Sequence, residues 1–210
     1  MQKVLLPNDA MPRPIEKERL LLSKLERQLR KNITPYLSQE DKEKLSLETI
    51  NDVFEECGLN LRYCGYYEID PNNPERTKPR PFNIGKVIGC SGIPIYIGVI
   101  GKAIRNFAES IYVPDVKALE ILSPDAHVAC DRKMTGAEIV IALPYIYSNG
   151  KRVTRMTLDL DIARKNPFSD YIATKLEDAC IPYMRSIFPG PQQYKPIRGI
   201  HTPKNLVFNR

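Results

Sequence analysis

A chain of 210 residues, 42% of them apolar and 11 of them tyrosine, can bury the core of one domain with extensions or of two small domains, which excludes global disorder. No stretch approaches the ~20 apolar residues of a membrane span, and Val4, Leu5 and Leu6 alone do not make a signal peptide, so a cytoplasmic protein is expected. The net charge of +6 is moderate, and the tail 189–210 carries Lys195, Arg198, Lys204 and Arg210 with no acid, which reads as a solvated arm rather than a grip on nucleic acid.

In chain order, 14–32 is predicted helical. Pro14 suits a first turn, and Ile15, Leu22, Leu25 and Leu29 fall on one face. Ser38 with Asp41 signals another helix start, and Ile50, Val53, Phe54 and Cys57 continue a helical stripe that Gly58 stops. The period then drops to two in the aromatic segment 59–69, a predicted strand. Residues 70–82 hold four prolines in thirteen positions and are predicted to be a loop. A strand broken at its glycines is expected over 86–97, then a short helix within 98–110 and a small strand in 111–116. A long loop leads to a strand at 137–147, and Asn149-Gly150 turns the chain into its hairpin partner at 152–162. Ser169 is read as the start of a last helix that Pro182 kinks or ends. Helices flanking an antiparallel sheet of about five or six strands make an α+β fold, with a helical extension at 1–46, a body at 47–187 and a Pro-rich basic tail at 188–210.

Five cysteines at irregular positions (Cys57, Cys64, Cys90, Cys130 and Cys180) do not read as a secreted disulfide framework. There is no C-x-x-C pair, and His127 and His201 are far apart, which argues against structural zinc; no metal is expected. Cys57 and Cys180 lie on apolar helical stripes, Cys64 alternates with aromatics, and all three read as core. Cys130 is different. It stands beside Asp131, eight residues before Glu138, which opens a strongly apolar strand. In the strand 152–162, Asp159 and Asp161 are two apart and point to one face. Exposed strand-end charges and a polar pocket both fit that pattern.

Four segments, in order, resemble a known family. "HVACD" followed by "AEIVIALP", with "RYCGYYEI", "CSGIPIYIGVIG" and "TLDLDIA", is similar to the free methionine-(R)-sulfoxide reductases, a subfamily of GAF domains. The resemblance spans roughly 47–187 and implies a GAF-like sheet. It places Cys130 on the catalytic cysteine and Cys90 on a cysteine that closes a disulfide with it. Glu138, Asp159 and Asp161 fall on the acids that bind substrate, and Tyr63 stands where a pocket tryptophan is usual. As residues alone, Tyr63 and Tyr67 fit either plain core aromatics or pocket walls over a methyl-thioether end. The chain departs from the pattern at Ile100, where the family has a third cysteine. It also has no tryptophan, a longer loop before Cys130, one extra residue between Cys130 and Glu138, and a longer hairpin after the glutamate.

The implied reaction needs a thiolate, a proton for the sulfoxide oxygen and a second thiol. Carboxylates beside Cys130 raise the thiol's pKa, whereas a pair of neighbouring carboxylates holds one proton above its ordinary value. A face bearing two acids suits the ammonium group of a free amino acid. The expectation is therefore an oxidoreductase with a small-molecule substrate, no cofactor and an external thioredoxin-like reductant, the homodimer question left open. Two other readings stand beside it: a GAF module that senses an amino-acid-like ligand without turnover, and a scaffold whose basic ends engage a partner.

Overall fold

The first predicted helix forms as α1 (Pro14–Asn32) in the computed structural model, which describes residues 14–85, 93–95, 97–105, 110–117, 136–146, 152–165, 167–169 and 171–190. Its inward stripe is Leu21, Leu25 and Leu29; Leu22, expected on that stripe, is half-buried at its margin. The Ser38 hydroxyl accepts the Asp41 N–H at 3.0 Å and caps α2 (Gln39–Glu56). Gly58, at φ 71°, lets the chain turn back so that the Leu59 N–H reaches the Phe54 carbonyl at 2.9 Å.

Among the described residues six strands follow: β1 (Leu61–Asp70), β2 (Asn73–Gly85), β3 (Ile93–Pro94), β4 (Ile111–Val113), β5 (Ala137–Ile146) and β6 (Arg152–Ile162). They pair antiparallel in the order β3-β2-β1-β6-β5-β4. Helix α3 (Gly98–Arg105) lies between β3 and β4 in sequence, and α4 (Ile172–Ile187) follows β6. The fold is α+β.

Two local expectations fail for identifiable reasons. Segment 70–82 is not a loop, because most of it belongs to β2, paired with β1. Its prolines are tolerated for want of a long outer neighbour: among the described residues β3 pairs only with Arg76 and Thr77. From Gly65↔Asn83 to Tyr67↔Pro79, β1 advances two residues while β2 advances four, and Pro81 sits in that bulge. Helix α4 starts just after Ser169, at Ile172, and does not end at Pro182 but continues to Ile187. Pro182 and Asp178, whose carbonyl loses its helical donor, are both exposed, so water can serve that carbonyl. Residues 86–92 of the expected broken strand lie outside the described residues, as does the turn 147–151.

The sheet separates two apolar clusters. On one face, Leu158, Leu160, Ile162, Ile139, Ile141, Leu143, Cys64 and Tyr66 pack under α1, α2 and α4. On the other, Val140, Ala142, Tyr63 and Tyr67 meet Val99, Ile100 and Ala103 of α3 and Ile111 and Val113 of β4. Gly101 lets α3 press on the turn after β3, since a Cβ there would stand 2.7 Å from the Ile95 carbonyl oxygen. Strand β5 is buried on both sides, which is why its sequence reads as a continuous apolar run.

Two buried acids tie helices to this frame. Glu43 on α2 meets Arg80 on β2 at 2.9 Å, and Arg80 also reaches Glu68 on β1 at 3.4 Å. Glu18 on α1 is fully buried and gathers the entry to α4: the Ser169 backbone N–H donates to it, the Ser169 hydroxyl donates at 2.9 Å, and Lys175 Nζ stands 3.0 Å away. Burial pushes the Glu18 carboxyl up, but the Ser169 donors and Lys175 outweigh it and hold the group below its ordinary value. A depressed carboxylate stabilises the fold above its unfolded pKa, and that stability is lost as pH falls through the folded value. Glu18→Gln is accordingly expected to destabilise the protein by about 1–3 kcal/mol at neutral pH, the range for charged hydrogen bonds. The gap to wild type should close as pH falls through the depressed folded value, below which both proteins carry a neutral group. Urea denaturation at neutral pH and at successively lower pH checks both the size and the closure; a gap independent of pH would remove the charge from the account.

Candidate functional site

Strand β6 carries Thr157, Leu158, Asp159, Leu160 and Asp161 in strict alternation, so its leucines point to the helix layer and its polar residues to the α3 side. Register then assembles three rows across the sheet. Asp161 lies between Tyr63 of β1 and Glu138 of β5; Asp159 lies between Gly65 and Val140; Thr157 lies between Tyr67 and Ala142. Directly opposed residues of an antiparallel pair have Cβ atoms about 5 Å apart, which brings these side chains into one group. One carboxylate oxygen each from Glu138, Asp159 and Asp161 lies within 4.8 Å of the others, and none of the three residues is more than 5% exposed.

Burying three carboxylates together costs several kcal/mol per ion unless cationic or hydrogen-bonding partners meet them. Strand-end surface charge, the bland reading of these acids, does not describe groups so enclosed. The sequence-predicted residues Glu138, Asp159, Asp161, Tyr63 and Tyr67 are thus brought together on one face. Cys130 and Cys90, with His127, lie outside the described residues.

Tyr63 and Tyr67 form the adjoining wall, with ring centroids 5.9 Å apart and planes inclined at 51°. The Tyr63 ring folds back across Gly65: a Cβ on Gly65 would stand 2.6 Å from Tyr63 Cζ and closer still to its hydroxyl. That carries the hydroxyl into the row of Asp159. Burial pushes the Tyr63 phenol far above its ordinary value, and the nearby Asp159 pushes it in the same direction, so the group stays a neutral donor. The Thr157 hydroxyl makes no hydrogen bond to any described residue, and that of Tyr63 makes none of ordinary geometry, although Tyr67 stands close enough to act on it.

Gly65 and Thr157 were not singled out from sequence. Thr157 was within reach, since it extends the alternation of Asp159 and Asp161 by one step. Gly65 was not, because its part depends on where the Tyr63 ring lies. The remaining thiols fit the core reading. Cys64 and Cys180 are buried on the helix side, where burial pushes Cys64 well up and Cys180 up to about 12; half-buried Cys57 is also raised, mainly by burial. Ile100, at the family's third-cysteine position, is buried in α3 against the tyrosine wall. The floor is braced from the edge, where the Ser110 N–H donates to Glu177 at 3.1 Å and its hydroxyl accepts the Ala142 N–H at 3.0 Å.

No family model matches the chain, and no curated relative matches its sequence. Solved structures do match. A GAF domain superposes with a TM-score of 0.59 at 23% identity, covering 81% of this chain and 88% of the other. The free methionine-(R)-sulfoxide reductase of Staphylococcus aureus, in complex with substrate, gives a TM-score of 0.55 at 21% identity, covering 79% and 94%. The GAF domain of an Acinetobacter phosphoenolpyruvate-protein phosphotransferase gives 0.53 at 12% identity, covering 82% and 91%. The fold is that of a GAF domain.

Gly65→Ala tests the wall. The added methyl displaces the Tyr63 ring, and overpacking of this kind costs about 1–3 kcal/mol. In a Tyr63→Ala background the same change should cost much less, because the clash is gone. A double-mutant cycle by chemical denaturation reads the coupling; additive costs would mean that Gly65 is required for the backbone alone.

Proposed function

We propose that the protein reduces free methionine-(R)-sulfoxide to methionine at the expense of thiols. The observation that carries this reading is the enclosed cluster of Glu138, Asp159 and Asp161 beside the Tyr63–Tyr67 wall. Buried carboxylates favour a cationic ligand, and the ammonium of a free amino acid, unlike a residue within a peptide, supplies that charge together with three N–H donors. The tyrosine rings offer an apolar surface for the methylthio end, where sulfur packs well against aromatic edges. One ligand with an ammonium at one end and a sulfur at the other satisfies both features.

The chemistry is a two-electron exchange. The sulfoxide sulfur loses its oxygen and becomes a thioether, two thiols lose their hydrogens and become a disulfide, and oxygen and hydrogens leave as water. Cys130 is assigned as the nucleophile and Cys90 as the resolving thiol on the strength of the sequence resemblance. An external thioredoxin-like dithiol then reopens the disulfide, so no bound cofactor is required. The reductase-like fold supports the assignment, but the phosphotransferase GAF domain matches almost as well. A second reading follows: the same pocket could serve an amino-acid sensor, and buried Ile100 in place of a third cysteine favours that reading.

The two readings part on Cys130. As an enzyme, the purified protein with dithiothreitol should convert methionine-(R)-sulfoxide to methionine, measured by chromatography; Cys130→Ser should abolish turnover yet still bind the sulfoxide, since a hydroxyl is scarcely ionised at neutral pH. A sensor would bind and never turn over. In either case Asp161→Asn should weaken binding of the sulfoxide in calorimetry by about 1–3 kcal/mol, the worth of a charged hydrogen bond. Unchanged affinity would remove the carboxylate cluster from ligand recognition.

A further inference from the structure

The spacing of cysteine and histidine gave no reason to expect a metal, but the site assembled by the sheet is an oxygen set, which selects metals of another class. Glu138, Asp159 and Asp161 each place an oxygen within 4.8 Å of the other two. Oxygens that share a calcium ion at about 2.4 Å lie up to about 4.8 Å apart, so the spacing brings the three carboxylates within reach of one ion. Calcium accepts irregular sets of six to eight oxygens, whereas magnesium demands a near-ideal octahedron and keeps its waters, so a cluster of protein oxygens favours the larger ion.

A group of acids alone would not make a site. Two further oxygens stand with this one. The Tyr63 hydroxyl, on a side chain 5% exposed, is carried over Gly65 into the row of Asp159. The Thr157 hydroxyl, on a side chain with no exposure, projects from β6 on the face of Asp159 and one step from it. Both are buried polar atoms with no hydrogen bond of ordinary geometry to the described residues, a condition that costs free energy unless a ligand or its waters answer it. Calcium takes six to eight oxygens, so three carboxylates leave places for hydroxyls or for waters that hydroxyls hold.

We propose that Glu138, Asp159 and Asp161, with the Tyr63 and Thr157 hydroxyls beside them, bind a hard divalent cation of calcium size, and that the ion excludes the ammonium-bearing ligand. The exclusion rests on the functional reading above; the binding stands on the geometry of the cluster. An ion here makes ligand affinity depend on free calcium, as two cations compete for one set of anions.

The test uses the full-length protein, stripped with chelator, and calcium chloride as the probe. Calorimetry should show saturable binding of one ion per chain, with magnesium chloride binding more weakly. Asp161→Asn should abolish calcium binding, and Thr157→Val, which keeps side-chain volume but removes the hydroxyl, should weaken it. Titration of methionine sulfoxide at rising calcium should give a proportionally rising apparent dissociation constant. If the protein binds the sulfoxide but not calcium, the cation proposal is overturned and the ligand reading survives. If calcium binds and no amino-acid ligand does, the cation site stands and the ligand reading falls. Calcium binding that persists unchanged in a folded Asp161→Asn protein would also overturn the proposal.

Discussion

The register of β6 between β1 and β5 is the constraint on which the rest of the molecule depends. Side chains alternate faces along a strand, so a slip of one residue exchanges everything a strand presents. Here it would drive Asp159 and Asp161 into the layer beneath α1, α2 and α4, and set Leu158 and Leu160 against the tyrosines. Ladders on both sides prevent this: β6 is paired with β1 from Ile162 to Met156 and with β5 along its whole length. The apolar half of the alternation thus does more than fill the core. By having only one acceptable face, the leucines fix where the acids must point.

The two faces differ in what they contribute to stability. The helix side is a continuous core in which Leu21, Leu25, Leu29, Ile50, Phe54, Leu158 and Leu160 are essentially excluded from water. Each such side chain contributes about 1.5–3 kcal/mol relative to exposure. The α3 side buries acids and hydroxyls, which oppose folding unless answered. A scaffold of this kind tolerates a costly site because its stability comes from the opposite face of the same sheet. The helices that supply it are fastened by ion pairs with one wholly buried partner, Glu18 on α1 and Glu43 on α2.

Much of this arrangement was legible from residues because it is periodic. The helix bounds 14–32, the cap at Ser38, the stop at Gly58 and the hairpin strand 152–162 follow from local patterns, and all are found. The paired acids were visible as a period-two motif. Strand β2 was not legible, because Pro74, Pro79 and Pro81 argue against a central strand and nothing local reveals that, among the described residues, its outer neighbour pairs with it only at Arg76 and Thr77. Ser169 looked like a helix cap because capping residues are recognised by type; its hydroxyl is instead spent on Glu18, a residue no sequence pattern links to it. Gly65 was opaque for a similar reason. A glycine that makes room for a ring is indistinguishable, in sequence, from one that merely bends a strand.

The distance along the chain between partners has a bearing on how the molecule comes into being. The hairpin of β5 and β6 and the neighbouring pair β1 and β2 join residues close in sequence and can form early, but the β1–β6 seam unites two parts of the chain far apart, and Glu18 meets Ser169 across 151 positions. Closing such long loops is the slow step of folding. A chain still emerging from the ribosome would carry α1 and β1 through residues 71–151 without the strand that completes them. The apolar stripe of α1 would be covered only in part over that interval, by α2, and the acidic cluster would be one of the later features to exist. Chaperone dependence would then centre on the first 70 residues, even though the three acids of the cluster lie beyond residue 137.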